Sequence, residues 1–432
     1  MTTASAARDA PEATGPARPG GYFPGFEILR AIAAAMVVVH HADNLAGGVR
    51  HGLAHELAAV GDSGVAVFFV LSGFLIYRPF AAAHLAGRRG QRAVAFWWRR
   101  VLRIVPAYWV VLSTFWALGS FRLGDDWWRY YLFVQSYSRE TALGGVVQAW
   151  SLCTEMSFYL LVPAFAALLA RLGGRGLRAR VGVQLGAIAV LFASAFVARE
   201  AIERVAPSYR GLSFQWLPMN LDLFASGMAL AVVSAWAAHD ERLRSRLDAL
   251  ARWAEPWWLA ALALFTWYAV AVGPAASFEV GYVGWFWQRR QLVLAAMTLL
   301  LLVPAVFGPS ERRGLRAVWS IRPLAWVGTV SYGLYLWHFD WMKRAIPHTD
   351  AFGATSWPGW FRSPDLAASV PLLLAVGFGV GLVFAAASWY LLEQPLQRFK
   401  GLLDPVPLRR SGPDPEASRT ASGALGGPGP AR

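Results

Sequence analysis

Long apolar runs recur along this chain of 432 residues, separated by short polar segments in which arginine dominates. Most of the runs approach the roughly 20 residues that a helix needs to cross a bilayer. Ten spans are predicted: residues 26–44, 62–80, 104–119, 150–170, 182–198, 219–238, 257–272, 291–307, 326–342 and 368–391. The expected architecture is an all-α integral membrane protein, with about ten transmembrane helices in one bundle. No internal repeat is visible, and no stretch between the spans is long enough for a separate soluble domain. Residues 1–21 and 401–432 are rich in Ala, Pro and Gly and read as disordered tails around a membrane domain of residues 22–400. The N-terminal segment lacks the apolar core of a signal peptide, so the first span is expected to direct insertion.

Composition agrees: 56% of the residues are hydrophobic and 15% charged, where a soluble domain has about 25% charged. The net charge of +14 does not point to nucleic acid, because the arginines sit between spans, where membrane topology explains them. The loop 77–103 holds seven arginines and no acid, and the loop after span four holds Arg171, Arg175, Arg178 and Arg180, again without an acid. The four even-numbered loops together carry 19 lysines and arginines against 12 in the five odd-numbered ones. The positive-inside rule therefore places both termini in the cytoplasm of a multi-pass plasma (inner) membrane protein. One cysteine, Cys153, excludes an internal disulfide and a cysteine-based metal cluster. It reads as a small apolar packing residue.

Orientation gives each intramembrane polar residue a depth. Arg30 lies near the cytoplasmic end of span one. His41 is eleven residues further, close to three full turns, so the two share a face, while His40 points about 100° away. Glu155, Asp222 and His338 are each expected in the outer part of spans four, six and nine, where Asp222 and His338 read either as pocket lining or as groups that hold helices together. Arg100 and Arg103 share a face at the inner mouth of span three. Charged groups in a membrane face a bundle interior or a wet cavity. The expected picture is a cationic inner entrance and an imidazole/carboxylate outer pocket. Ser331, Tyr335 and His40 are further pocket candidates, and Ser331 reads also as a helix-packing hydrogen bonder. His51 and His55, beside Glu56, have helical metal-ligand spacing. No third ligand motif stands out, so no metal site is expected.

These residues carry a likeness. The R-x10-H of Arg30 and His41 resembles the defining motif of acyltransferase family 3, bacterial multi-spanning membrane O-acyltransferases. "GVAVFFVLSGFLI" (64–76), "RRVLRIVPAYW" (99–109), "WSLCTEMSFYLLVP" (150–163), "SYGLYLWH" (331–338) and "LEQPLQRF" (392–399) resemble its recurrent blocks, in the family's order. His40 is an extra histidine before the motif histidine, and "CTEM" departs from the usual small or apolar residues around the glutamate. The likeness covers about residues 22–400. It implies transfer of an acyl group from cytoplasmic acyl-CoA, as co-substrate rather than bound cofactor, to a hydroxyl of a sugar-containing acceptor. It also implies that Arg30 and His41 are essential and that the R-x-x-R pair at 100 and 103 belongs to the donor side.

Acyl transfer to an alcohol needs a base for the hydroxyl proton and stabilisation of a tetrahedral oxyanion. His41 is the expected base, since imidazole titrates near neutrality. Glu155 is expected to orient it, as a carboxylate does in a catalytic triad. Arg100 and Arg103 suit CoA phosphates, and Arg30 holds the donor deeper. No protein nucleophile stands out, so direct transfer is expected. The competing reading is a polytopic transporter or flippase of a polar substrate, against which the missing repeats count. Oligomeric state, acceptor identity and acyl length are not readable from one sequence.

Overall fold

The computed structural model describes residues 23, 25–47, 52–271, 284–309, 313–346 and 369–404. Among the described residues every regular element is helical. Ten main helices are numbered in chain order: α1 (Gly25–Ala46), α2 (Ser63–Leu85), α3 (Ala93–Ala117), α4 (Trp150–Leu172), α5 (Leu177–Val205), α6 (Leu217–Ala237), α7 (Glu255–Ala271), α8 (Gly284–Val306), α9 (Ser331–Ala345) and α10 (Val370–Gly401). Each predicted span overlaps one of them. Seven (α1, α2, α4, α5, α6, α8 and α10) are long and apolar enough to cross a membrane. The protein is a multi-pass membrane bundle. The assignment of tails lies outside the described residues, except at 401–404.

The other three helices show why the count is harder to read than the class. Helix α7 has 17 residues. Helix α3 begins eleven residues before its predicted span, so Arg100 and Arg103 lie inside a helix rather than at its mouth. The predicted span 326–342 is two pieces: a short helix Arg322–Thr329 ends at Val330, and α9 begins at Ser331. The Ser331 hydroxyl donates to the Gly328 carbonyl across this break (2.8 Å). The segment then carries His338, Asp340, Lys343 and Arg344 in buried positions, which no lipid-facing helix would tolerate.

Packing follows membrane rules, in which small residues let backbones approach. Helices α2 and α6 cross at two glycines. A Cβ on Gly73 would stand 2.2 Å from the Phe224 carbonyl oxygen, and one on Gly227 would stand 2.0 Å from that of Val70. Any side chain there forces the helices apart. The centre of α2 is thereby clamped against α6, with Phe74 and Phe224 fully buried. Around the rim, Leu160, Val190, Val197, Leu259 and Val383 are more than half exposed. Large exposed apolar side chains on several of the long helices suit contact with lipid. Helix α10 contains two wider π-type turns, Ala375–Val380 and Trp389–Glu393, along its course.

Candidate active site

Two cavities lie inside the bundle and adjoin. The inner chamber, about 800 Å³, is lined by Arg30, Arg100, Arg103, Ser72, Glu155, Tyr159, Ser331 and Tyr332 among others. The outer chamber, about 710 Å³, is lined by His40, His41, Asn44, Asp62, Gln148, Trp150 and Phe339 among others. Val65 of α2 and Tyr335 of α9 line both, and so mark the neck between them. Arg30 and His41, on one face of α1, open into different chambers, as their eleven-residue spacing predicts.

The neck is pinned by hydrogen bonds. The Tyr335 hydroxyl donates to the Gln148 carbonyl (2.8 Å) and lies 2.8 Å from the Ser151 hydroxyl. The Gln148 side chain donates to the Leu336 carbonyl (2.8 Å). The start of α4 is thus tied to the middle of α9 by groups that would otherwise be unsatisfied in an apolar interior.

In the inner chamber three guanidinium groups meet one carboxylate. Among the described residues, neither Arg30, Arg100 nor Arg103 has a carboxylate within ion-pair distance. Glu155 instead accepts hydrogen bonds from the hydroxyls of Ser72 and Tyr159. Arg100 stacks over the rings of Phe96 (5.8 Å) and Tyr159 (6.0 Å), which fixes its direction without neutralising it. The chamber therefore presents three guanidinium groups that make no ion pair among the described residues, with Glu27, Glu155 and Glu393 acting on them only at longer range.

In the outer chamber the imidazoles are tied to one another. His41 Nδ1 lies 2.7 Å from His338 Nε2, and His338 Nδ1 lies 2.9 Å from the Leu334 carbonyl oxygen. Phe339 covers one side of the His41 ring (centroids 4.4 Å apart). His40, 7% exposed, donates from Nδ1 to the Ala58 carbonyl (3.2 Å) and accepts from the Asn44 amide at Nε2 (3.0 Å). It fastens α1 to the helix Leu53–Ala59.

These placements differ from expectation in two respects. Glu155 does not reach the imidazole: it lies in the chamber of the arginines, and the nitrogen it was expected to hold is taken by His338. The reason is local, since Tyr159 sits one turn along α4 and Ser72 faces it from α2. Asp222 lines neither chamber. It pairs with Arg199 of α5 at 2.8 Å, both side chains 1% exposed. Arg199 also donates to Gln288 and to the Met219 carbonyl, so this group joins α5, α6 and α8 as a structural knot. Ser331 and Tyr335 do line the inner chamber. His55 pairs with Asp43 (2.8 Å), and His51 lies outside the described residues. Among the described residues no group of three metal-ligating side chains comes together.

Sequence reasoning missed the Ser72–Glu155–Tyr159 cluster and the outer polar pair Asp62–Arg290 (2.5 Å). The i, i+4 spacing of Glu155 and Tyr159 was a readable signal. Nothing in a single sequence pairs residue 62 with residue 290.

The class these observations define is a helical membrane bundle with an arginine-lined chamber adjoining a histidine-lined one. The family model described as an acyltransferase domain, acyltransferase family 3, matches residues 23–392. The chain belongs to that family. It is 26% identical over 345 residues, 76% of this chain, to the peptidoglycan O-acetyltransferase OatA of Listeria monocytogenes. It is 27% identical over 361 residues, 78% of this chain, to the putative peptidoglycan O-acetyltransferase YrhL of Bacillus subtilis. The O-acetyltransferase OatA of Staphylococcus aureus is 25% identical over 74% of the chain. These matches cover 50%, 51% and 50% of the relatives, so the chain spans about half the length of the proteins it matches. No solved structure matches it.

Proposed function

We propose that this protein moves an acetyl or other short acyl group from cytoplasmic acyl-CoA to a hydroxyl of a sugar-containing acceptor in the cell envelope. The observation that carries this reading is the adjoining pair of chambers, one holding three arginines that make no ion pair among the described residues and the other His41, joined at Val65 and Tyr335. Arg100, Arg103 and Arg30 hold the CoA phosphates, since guanidinium groups bind phosphate oxygens bidentately. The pantetheine arm extends through the neck, and His41 takes the acceptor's hydroxyl proton as the alkoxide attacks the thioester carbonyl. The C–S bond then breaks, and the thiolate recovers the proton. Envelope glycan is favoured as acceptor because three relatives are named as O-acetyltransferases, two of them for peptidoglycan.

The same reading places ten spans in the inner membrane with both termini in the cytoplasm. Four basic residues counted on the odd-numbered side, Arg199, Arg290, Lys343 and Arg344, are buried in the bundle. Removing them from the loop count widens the bias toward the even-numbered side, where Arg316 is the buried exception.

The test is transfer of label from acyl-CoA in membranes carrying wild-type or His41→Ala protein. The variant is expected to lose at least about 1000-fold in rate, the combined value of a positioned base and its proton transfer. A variant that accumulates normally and transfers at the full rate overturns the base assignment. Dependence on acyl-CoA, with a product heavier by one acyl group, separates this reading from a transporter.

A further inference from the structure

We propose that His338 is a positioning residue for His41: it holds that imidazole as the Nδ1–H tautomer and turns its Nε2 lone pair toward the outer chamber. This rests on His41 being the base, and it adds which nitrogen acts and what selects it.

The assignment follows from counting hydrogens along one chain of contacts. The Leu334 carbonyl can only accept, so His338 Nδ1, 2.9 Å away, carries a hydrogen. A neutral His338 then has its lone pair on Nε2. That nitrogen lies 2.7 Å from His41 Nδ1, a contact that needs one hydrogen between them. The hydrogen belongs to His41. The ring geometry agrees: the planes differ by 17° and the centroids are 5.0 Å apart. That separation equals the nitrogen gap plus the two ring radii, so the rings meet edge to edge in nearly one plane. This is an N–H···N bond and not a stack.

The consequence is chemical. With Nδ1 engaged, His41 has Nε2 as its free basic nitrogen, and the outer chamber is what its ring lines. When Nε2 takes the acceptor's proton, the imidazolium donates from Nδ1 to His338 Nε2, which stabilises the charge; return of that proton to the CoA thiolate restores both rings. His338 is fully buried and both its nitrogens are used, so it acts only through His41. His338 Nε2 takes the place that a carboxylate holds in a Ser-His-Asp triad, and the Leu334 carbonyl, one turn earlier on α9, orients His338 in turn. The other titratable or charged groups facing His41 are His40, Lys343 and Asp62. Each is engaged elsewhere: His40 with Ala58 and Asn44, Lys343 with Asp340 at 2.6 Å, and Asp62 with Arg290.

The experiment compares His338→Leu, which has no acceptor, with His338→Gln, whose amide oxygen can reach the same point. In H338L, kcat is expected to fall about 100-fold or more, with KM for acyl-CoA unchanged. H338Q is expected to recover to within about tenfold of wild type, since it keeps the partner's hydrogen bond. Nitrogen-15 spectra of histidine-labelled protein, with the His41 signal assigned by its absence in H41Q, are expected to show a protonated Nδ1 and a bare Nε2. In H338L the tautomer shifts toward Nε2–H. A wild-type spectrum with His41 protonated at Nε2 overturns the proposal, as do equal losses in well-folded H338L and H338Q or an unchanged kcat in H338L. If H338L does not accumulate, the wild-type spectrum and H338Q decide. An H41Q enzyme that keeps its activity would defeat the base reading instead, and the spectra would still judge the tautomer.

Discussion

The two chambers treat charge in opposite ways. The inner one gathers three guanidinium groups and leaves them without carboxylate partners, spending its single carboxylate on two hydroxyls. The outer one is lined by two imidazoles and by amides, and the carboxylate in its lining, Asp62, is paired with Arg290. A cation without a partner in low dielectric is costly unless a ligand supplies the anion. On the proposed reading the inner chamber serves a polyanion that comes and goes. The outer chamber on that reading serves proton transfer, where a fixed nearby charge would bias the imidazole toward one protonation state. The difference teaches why the two motif residues stand eleven apart: binding and chemistry need different electrostatics, and the helix separates them.

The largest effect that follows from this comparison is on donor affinity. Replacing Arg100 and Arg103 together by Ala is expected to raise KM for acyl-CoA by about 100-fold or more. The scale comes from hydrogen bonds to charged groups, about 1.5–3 kcal/mol each. The kcat at saturating donor is expected to fall far less, because neither residue lines the outer chamber. Initial rates over a range of acyl-CoA concentrations decide it. If kcat collapses while KM stands still, the arginines belong to the chemistry and the division between chambers is wrong.

Glu155 gives the next and smaller effect, and the sharper one. As a member of the inner chamber it tempers the field of the arginines and holds Ser72 and Tyr159 in place. Glu155→Gln is expected to alter KM for acyl-CoA by less than about tenfold, the scale of one charge interaction near a partly wet cavity. The acid limb of the pH–rate profile should stay where it is. An imidazole base works unprotonated, so rate rises with pH through its titration. A carboxylate that touched it would raise that titration, and removing the carboxylate would move the limb to lower pH. Such a movement in the Gln variant would restore Glu155 to the triad role that its sequence position suggests.

The class of the fold was legible because membrane solvation imposes long apolar runs, and each run became a helix. Arg30 and His41 were legible for the same kind of reason: both lie on one helix, so their relative phase and separation follow from 3.6 residues per turn. The rest depended on contacts between helices. His41 meets a residue 297 positions away, and Glu155 meets one 83 positions away. No local rule sets those pairings. Arg199 was read as a loop charge because its short flank is polar; in the fold α5 continues through it, and Asp222 neutralises it. The break at Val330 was hidden because Thr329 and Ser331 beside it sit within an otherwise apolar run.

The smallest effect concerns His40, and it tests how far one residue of helix phase decides a role. His40 and His41 are chemically identical, adjacent, and both line the outer chamber. Their nitrogens differ. Both of His40's are engaged by the protein, one by the Ala58 carbonyl and one by the Asn44 amide, which leaves no lone pair for a substrate. His41 keeps one nitrogen free. His40→Gln should therefore cost stability rather than rate: about 1 kcal/mol for a weakened hydrogen bond between α1 and the following short helix. The ratio kcat/KM should stay within about threefold of wild type, a change of about 0.6 kcal/mol or less. Thermal unfolding in detergent and initial rates on the same preparation give the two numbers. A loss of rate on the scale expected for His41→Ala, with unfolding unchanged, would show that the second imidazole takes part in the proton transfer and that the hydrogen bonds at its two nitrogens give way when substrate binds.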